Sequence, residues 1–133
     1  MSKIVIIGAG AMGTAFSIPC LDNNHDVNIV GTHLENDFID TMLKNKRLHP
    51  GLNTNIPEMI NLIKFENFDT VLSSGVDLIV LGISSKGIEW VSDQLHRVYK
   101  DKKLPNLLML TKGLSIYENN YELLVDKLER LLF

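Results

Sequence analysis

The stretch IVIIGAGAMGTAF, residues 4–16, joins an apolar run to three closely spaced glycines. Residues 4–7 are all β-branched with no polar alternation, which is typical of a strand buried on both faces in a parallel sheet. The residues after the glycines, from about 12 to 23, predict a helix that ends at the turn-forming stretch DNNHD. The sequence therefore predicts a strand, a glycine-rich turn and a helix in succession.

Gly8, Gly10 and Gly13 form the pattern G-x-G-x-x-G at this joint. In dinucleotide-binding proteins the first glycine permits the tight turn, the second lets backbone approach a pyrophosphate, and the third lets the helix lie close to the strand. Backbone N–H groups and the positive end of the helix then face an anion. The alternative is that the glycines merely tighten the turn, but their position directly after a buried strand favours a dinucleotide site.

Strands and helices continue to alternate along the rest of the chain. Strands are predicted at residues 27–30, 63–65, 77–83 and within 106–113, and helices at residues 34–45, 68–74, 87–98 and 121–133. Residues 46–57 contain two prolines and a glycine and are predicted to form a loop, which is a candidate functional loop. This alternation predicts an α/β fold, Rossmann-like and doubly wound, with a mainly parallel sheet and helices on both faces.

Composition narrows the class of protein. With 133 residues, 45% of them hydrophobic and 22% charged, the chain is expected to form one domain, residues 1–133. The net charge of -3 comes without a cluster of basic residues, so nucleic acid is not an expected partner.

A single cysteine, Cys20, excludes an intrachain disulfide, and no metal site is expected because the histidines lack ligand spacing. No apolar run approaches the ~20 residues of a membrane span, and no signal peptide precedes the first strand, so we expect a cytoplasmic protein.

The end of the second predicted strand bears on the choice of coenzyme. Sites selective for NAD usually place a carboxylate there, where it holds the 2′-hydroxyl of the ribose. Here the strand end reads VGTH, residues 30–33, and Glu35 lies just beyond it. Thr32 and His33 have hydrogen-bond donors for a 2′-phosphate, although His33 is equally well explained as a solvated loop residue. The sequence therefore favours NADP over NAD.

Four segments together carry a resemblance to a known family: IGAGAMGTA (7–15), NKRLHPGLNTNIP (45–57), DLIVLGISS (77–85) and LTKGL (110–114). They resemble the N-terminal domain of NAD(P)-dependent glycerol-3-phosphate dehydrogenase, and the similarity extends over nearly the whole chain. The resemblance implies an oxidoreductase of glycerophospholipid metabolism. Its reaction would be reduction of dihydroxyacetone phosphate to glycerol 3-phosphate by hydride from the nicotinamide.

The resemblance also implies roles for individual residues in cofactor binding. Ala11 and Met12 match the part of the glycine loop that covers the pyrophosphate. Thr32 and His33 match positions where many members place an arginine for the adenosine end. Ser84 lies on the loop after the fourth strand, near the expected nicotinamide ribose, in a loop that often contains proline in the family, so Ser84 is a departure from the pattern.

Lys112 matches a family lysine that contacts both substrate and cofactor, and is the candidate catalytic residue. The chemistry supports this independently, because hydride addition to a ketone leaves negative charge on oxygen that an ammonium group stabilises or protonates. A lysine at the carboxyl end of a strand also lies on the side of the sheet where ligands bind. The alternative is an exposed loop lysine.

For His49 the preferred interpretation is a side chain in solvent, with Pro50 fixing the loop, and the alternative is a contact with substrate or cofactor.

Family members also carry a C-terminal helical substrate domain, which these 133 residues do not include. We therefore expect the chain alone to hold cofactor without turnover, and a homodimer to form through that missing domain. Two other functions stay open at this point. One is an NADP-dependent reductase domain like that of ketopantoate reductase, which shares the glycine motif. The other is a stand-alone, non-catalytic NAD(P)-sensing module that binds a partner through the apolar face of residues 121–133.

Overall fold

The computed structural model describes residues 1–133. In chain order the elements are β1 (Lys3–Ile7), α1 (Ala11–Asp22), β2 (Asp26–Val30), α2 (Asn36–Lys44), β3 (Leu48–His49), β4 (Thr54–Asn55), β5 (Asn61–Ile63), α3 (Phe68–Leu72), β6 (Leu78–Leu81), α4 (Ile88–Val98), β7 (Asn106–Met109), β8 (Leu114–Tyr117), β9 (Asn120–Leu123) and α5 (Leu124–Leu132). Short 3-10 turns precede α3 and α4. None of the helices is both long enough and apolar enough to cross a membrane.

Five parallel strands form the central sheet in the order β5-β2-β1-β6-β7. The chain starts at the middle strand, β1, runs outward through β2 to β5, and then returns to the other side of β1 for β6 and β7. The direction of winding therefore reverses between β1 and β6, and in open α/β sheets ligands bind at the carboxyl ends of the strands at such a reversal. The predicted doubly wound, Rossmann-like fold is confirmed.

The two faces of the sheet carry separate apolar cores, and β1 contributes to both. Ile4 and Ile6 pack with residues of α1 and α2 on one face. Val5 and Ile7 point to the other face and pack with residues of α3, α4 and α5. All four side chains are buried, and each such burial stabilises the fold by about 1.5–3 kcal/mol. Covering both faces explains why the strand shows no polar alternation.

Two segments differ from the sequence predictions. Residues 46–57, predicted as a loop, contain a short antiparallel hairpin in which β3 pairs with β4. The predicted helix 121–133 begins only at residue 124, because β9 pairs with β8 in a second hairpin. Glu118 and Asn119 make the turn of that hairpin with φ of 51° and 66°, as a two-residue type I′ turn requires.

Candidate functional site

The glycine turn, residues 8–13, comprises the residues after β1 and the first residues of α1, and it lies against Gly82, directly after β6. Gly8 has a φ of 107°, and a Cβ added to it would lie 2.4 Å from the backbone oxygen of Gly82. A Cβ on Gly13 would lie 3.0 Å from the backbone oxygen of Gly8 and 3.1 Å from Ile6 Cγ2. These two glycines are therefore required by close backbone packing, as the sequence motif predicts.

Gly10 differs from the other two glycines because the space around it is open. A Cβ added there meets no heavy atom within 4 Å. The first hydrogen bond of α1 runs from the Thr14 N–H to the Gly10 oxygen at 3.0 Å, so the N–H groups of residues 11–13 have no partner within the helix. No side chain caps this end of α1, and no acidic residue lies in its first turn. Free N–H groups at the positive end of a helix, next to open space, suit an anionic ligand such as a phosphate.

A crevice of about 400 Å³ opens beside the glycine turn, at the carboxyl ends of β1, β2 and β6. We call it the central crevice. Its lining comes from the glycine turn, the loop after β2, the loop after β6 and the first turn of α4: Gly8, Gly10, Thr32, His33, Leu34, Glu35, Gly82, Ile83, Ser84, Lys86, Gly87 and Trp90. Five of the predicted cofactor-binding residues therefore share one cavity, namely Gly8, Gly10, Thr32, His33 and Ser84.

Three other residues of the predicted glycine motif lie next to the crevice without lining it. Gly13 is buried where α1 packs closely against β1. Ala11 and Met12 are exposed in the first turn of α1, and Met12 retains 44% of its accessible surface. Their backbone N–H groups, rather than their side chains, are the features that an anion at the glycine turn would contact.

Lys112 lies on the segment after β7, and its side chain is exposed. It does not line the central crevice. The segment is held next to the loop after β6, because the Thr111 hydroxyl donates a hydrogen bond to the Ile83 oxygen at 2.8 Å. A Cβ added to Gly113 would lie 3.8 Å from Ser85 Cβ, which shows how close the two loops come. The structure therefore places Lys112 beside the loop that carries Ser84.

His33 packs against aromatic side chains at one side of the crevice. Its ring centroid lies 4.9 Å from that of Trp90 at an angle of 31°, and 6.1 Å from that of Phe65. Although His33 is exposed, this stacking gives it a defined position. The crevice thus has a flat ring surface at the end of β2, suited to contact with another planar group.

The sequence has no carboxylate at the end of β2 itself, but in the structure Glu35 folds back onto the strand end. The Thr32 N–H donates to Glu35 Oε1 at 2.9 Å, and the Ala9 N–H donates to Oε2 at 3.1 Å. A tight turn, in which the Glu35 N–H donates to the Thr32 oxygen at 3.0 Å, brings the side chain back to the strand end. The argument for NADP from an uncharged strand end therefore loses its premise.

The expectation that His49 lies in solvent is also wrong. His49 is 2% exposed, and its Nε2 lies 2.9 Å from the backbone oxygen of Ala9, inside the glycine turn. Its ring also meets Phe38 edge-on, with centroids 5.3 Å apart. The β3–β4 hairpin thus packs against the glycine turn, a contact that no feature of the local sequence signals.

Comparison with known proteins places this architecture in a family. A family model described as the NAD-dependent glycerol-3-phosphate dehydrogenase N-terminus matches residues 3–132. The chain belongs to this family. The match covers the glycine turn, the central crevice and Lys112, and it favours this family over the ketopantoate reductase alternative.

Individual relatives agree with the family match. The chain is 27% identical over 117 residues to the NADP(+)-dependent glycerol-3-phosphate dehydrogenase of Archaeoglobus fulgidus, covering 88% of this chain and 33% of that protein. It is 32% identical over 115 residues to the glycerol-3-phosphate dehydrogenase [NAD(P)+] of Oceanobacillus iheyensis, covering 86% of this chain and 31% of that protein. The chain thus spans about a third of the length of the curated relatives it matches.

Solved structures show the same fold. The glycerol-3-phosphate dehydrogenase of Coxiella burnetii superposes with a TM-score of 0.75 at 21% identity, covering 98% of this chain and 38% of that one. A D-mandelate dehydrogenase solved with NADH gives a TM-score of 0.61 at 22% identity, covering 98% of this chain and 35% of that one. At these identities the likeness concerns the fold alone.

Proposed function

We propose that this chain is the NAD(P)-binding domain of a glycerol-3-phosphate dehydrogenase. The central crevice binds NAD or NADP, and the whole protein reduces dihydroxyacetone phosphate to glycerol 3-phosphate by hydride transfer. One observation carries the proposal: the free N–H groups of the glycine turn border open space at Gly10, where the winding of the sheet reverses. The chain that forms this sheet belongs to the family named above.

The residues present fit a dinucleotide along the crevice. The glycine turn offers N–H donors for the pyrophosphate at the positive end of α1. The loop after β2 offers a ring surface at His33 and a carboxylate at Glu35 for the adenosine end. The loop after β6, with Ser84, lies on the other side for the nicotinamide ribose. When bound, the reduced nicotinamide supplies the hydride.

Lys112 has the chemistry to complete the reaction. Its ammonium group stabilises the negative charge that develops on the carbonyl oxygen of the substrate, or donates the proton that this oxygen takes up. The hydrogen bond from Thr111 to Ile83 holds its segment beside the loop after β6, and therefore near the proposed nicotinamide end. We assign Lys112 as the candidate catalytic residue on this basis.

The remaining two thirds of such a protein would supply the substrate domain, and a homodimer would form through it. An exposed apolar surface on β8, β9 and α5 supports a covering domain: Ile116, Tyr121 and Val125 retain 70%, 79% and 53% of their accessible surface. Such a surface on a single chain marks a contact region. Under this proposal the chain alone should bind coenzyme without turnover. A stand-alone sensing module, by contrast, would need no further domain.

Two measurements test the proposal. Calorimetric titration of NADH and NADPH into the chain should give saturable heat for at least one coenzyme, and no heat from either would contradict the dinucleotide site. In the full-length protein, Lys112→Ala should lower kcat for dihydroxyacetone phosphate by at least about a hundredfold, the contribution typical of general acid catalysis. Lys103→Ala, at an exposed position before β7, is the matched control and should leave kcat unchanged. Near-normal kcat in Lys112→Ala would remove the catalytic assignment.

A further inference from the structure

Both ring nitrogens of His49 are committed to backbone groups. Nδ1 accepts hydrogen bonds from the N–H groups of Gly51 at 3.1 Å and Leu52 at 3.3 Å. Because Nδ1 accepts, it carries no hydrogen, and the hydrogen of the neutral ring lies on Nε2. Nε2 then donates to the Ala9 oxygen at 2.9 Å. The contacts of His49 thus fix both the tautomer and the direction of its single N–H.

The backbone of Ala9 is held by side chains from three elements. Its oxygen accepts from His49 Nε2 and, at 3.3 Å, from the hydroxyl of Thr14 on α1. Its N–H donates to Glu35, at the start of α2. Ala9 itself is fully buried between two glycines, which impose little conformational restriction of their own. The orientation of this part of the glycine turn therefore depends on these three side chains.

We propose that His49 is a positioning residue of the coenzyme site. This inference rests on the function proposed above. In a trans peptide, the carbonyl of Ala9 and the N–H of Gly10 point in opposite directions. By holding the Ala9 oxygen on the side of the β3–β4 hairpin, His49 directs the Gly10 N–H to the opposite side, and Gly10 lines the central crevice. His49 acts through this peptide and does not itself line the crevice.

Two variants of His49 separate the two functions of the ring. In His49→Asn the amide oxygen lies near the position of Nδ1 and still accepts from Gly51 and Leu52, but the side chain is too short to reach Ala9. In His49→Gln the amide N–H reaches the position of Nε2 and still donates to Ala9, but the local acceptor is lost. The pair therefore distinguishes the bond to the glycine turn from the role of the ring within the hairpin.

The experiment is calorimetric titration of NADH into the unmodified protein and both variants, with thermal unfolding and the amide spectrum of each recorded by NMR. His49→Asn should weaken NADH binding about fivefold to tenfold, the range expected for one lost hydrogen bond, and shift the Gly10 amide resonance. His49→Gln should bind NADH within about twofold of the unmodified protein, even if its thermal unfolding midpoint falls. Unchanged affinity in His49→Asn, or equal loss in both variants, would overturn the proposal.

Two further readouts keep the outcome decisive. If the unmodified protein binds neither NADH nor NADPH, the proposed function fails, and the Gly10 amide decides on His49. A shift in the Asn variant alone supports the positioning role, and no shift in either variant refutes it. If His49→Asn does not fold, the ring nitrogen spectrum of the unmodified protein still tests the proposal. A neutral ring with its hydrogen on Nδ1 would overturn it, because Nε2 would then have no hydrogen to donate.

Discussion

Replacing Gly10 with alanine should remove coenzyme binding while leaving the fold intact. Gly10 has φ of -68° and ψ of 175°, which any L residue adopts without strain, and the added Cβ meets no heavy atom within 4 Å. Alanine lowers the conformational entropy of the unfolded chain, which raises the free energy of unfolding by about 0.4–1 kcal/mol. At the N-cap position of a helix, alanine is less favourable than glycine by about half a kcal/mol. These contributions nearly cancel, so the unfolding midpoint should change by no more than about 2 °C.

The effect on binding should be much larger, because Gly10 lines the central crevice and the added methyl group would take up space in which we expect the phosphate to bind. A phosphate displaced by that methyl loses at least one charge-assisted hydrogen bond, which costs about 1.5–3 kcal/mol. The Kd for coenzyme should therefore rise about tenfold to a hundredfold. Calorimetric titration of NADH and NADPH, with thermal unfolding followed by circular dichroism, measures both quantities on the same sample.

Gly8→Ala is the matched comparison, because its Cβ would lie 2.4 Å from the backbone oxygen of Gly82 and its φ is 107°. Strain and overpacking together should destabilise this variant by about 3 kcal/mol or more, so it should lose stability as well as binding. The reasoning is refuted if Gly10→Ala binds coenzyme with unchanged Kd. It is also refuted if the two variants are equally unstable, since of these two positions only Gly8 is sterically crowded.

Two further perturbations test the site and the core. Glu35→Gln should raise the ratio of NADPH affinity to NADH affinity about fivefold, because it removes a negative charge whose repulsion of a nearby 2′-phosphate is worth about 1 kcal/mol. Asp37→Asn, at an exposed residue of α2, is the control and should leave that ratio unchanged. An unchanged ratio in Glu35→Gln would show that the carboxylate lies far from the ribose. Burial raises the pKa of Tyr99 from 10.0 to about 12, so the unfolded chain loses this proton first and stability should fall as the pH rises through that interval. In Tyr99→Phe the free energy of unfolding, measured with urea, should fall less steeply as the pH rises. At pH 7 this variant should be about 1 kcal/mol less stable, because the Leu72 oxygen loses its hydrogen-bond donor. Equal alkaline slopes in the two proteins would contradict the assignment.

Much of the fold could be predicted because its signals are local. Residues 4–7 are apolar at every position because helices cover both faces of the sheet, and such a run is visible in the sequence. Gly8 and Gly13 are required by close backbone contacts that recur wherever a strand enters a helix in this way, so their spacing identifies them. Thr32, His33 and Ser84 follow from topology, because the carboxyl ends of neighbouring parallel strands meet at one edge.

Glu35 and His49 could not be placed from the sequence, because their partners are backbone atoms and no sequence pattern marks a backbone atom as a partner. Glu35 reaches Ala9 across 26 residues and His49 reaches it across 40. Nothing in the hairpin around His49 is periodic, since β3 and β4 have two residues each, and a histidine before Pro50 and Gly51 resembles a solvated loop residue. Yet Ala9 is where both contacts converge, on its N–H and on its oxygen. A short turn of small side chains offers ligands its backbone alone, so its orientation has to come from side chains elsewhere in the chain. The residues that shape such a site are therefore the ones that local sequence reveals least.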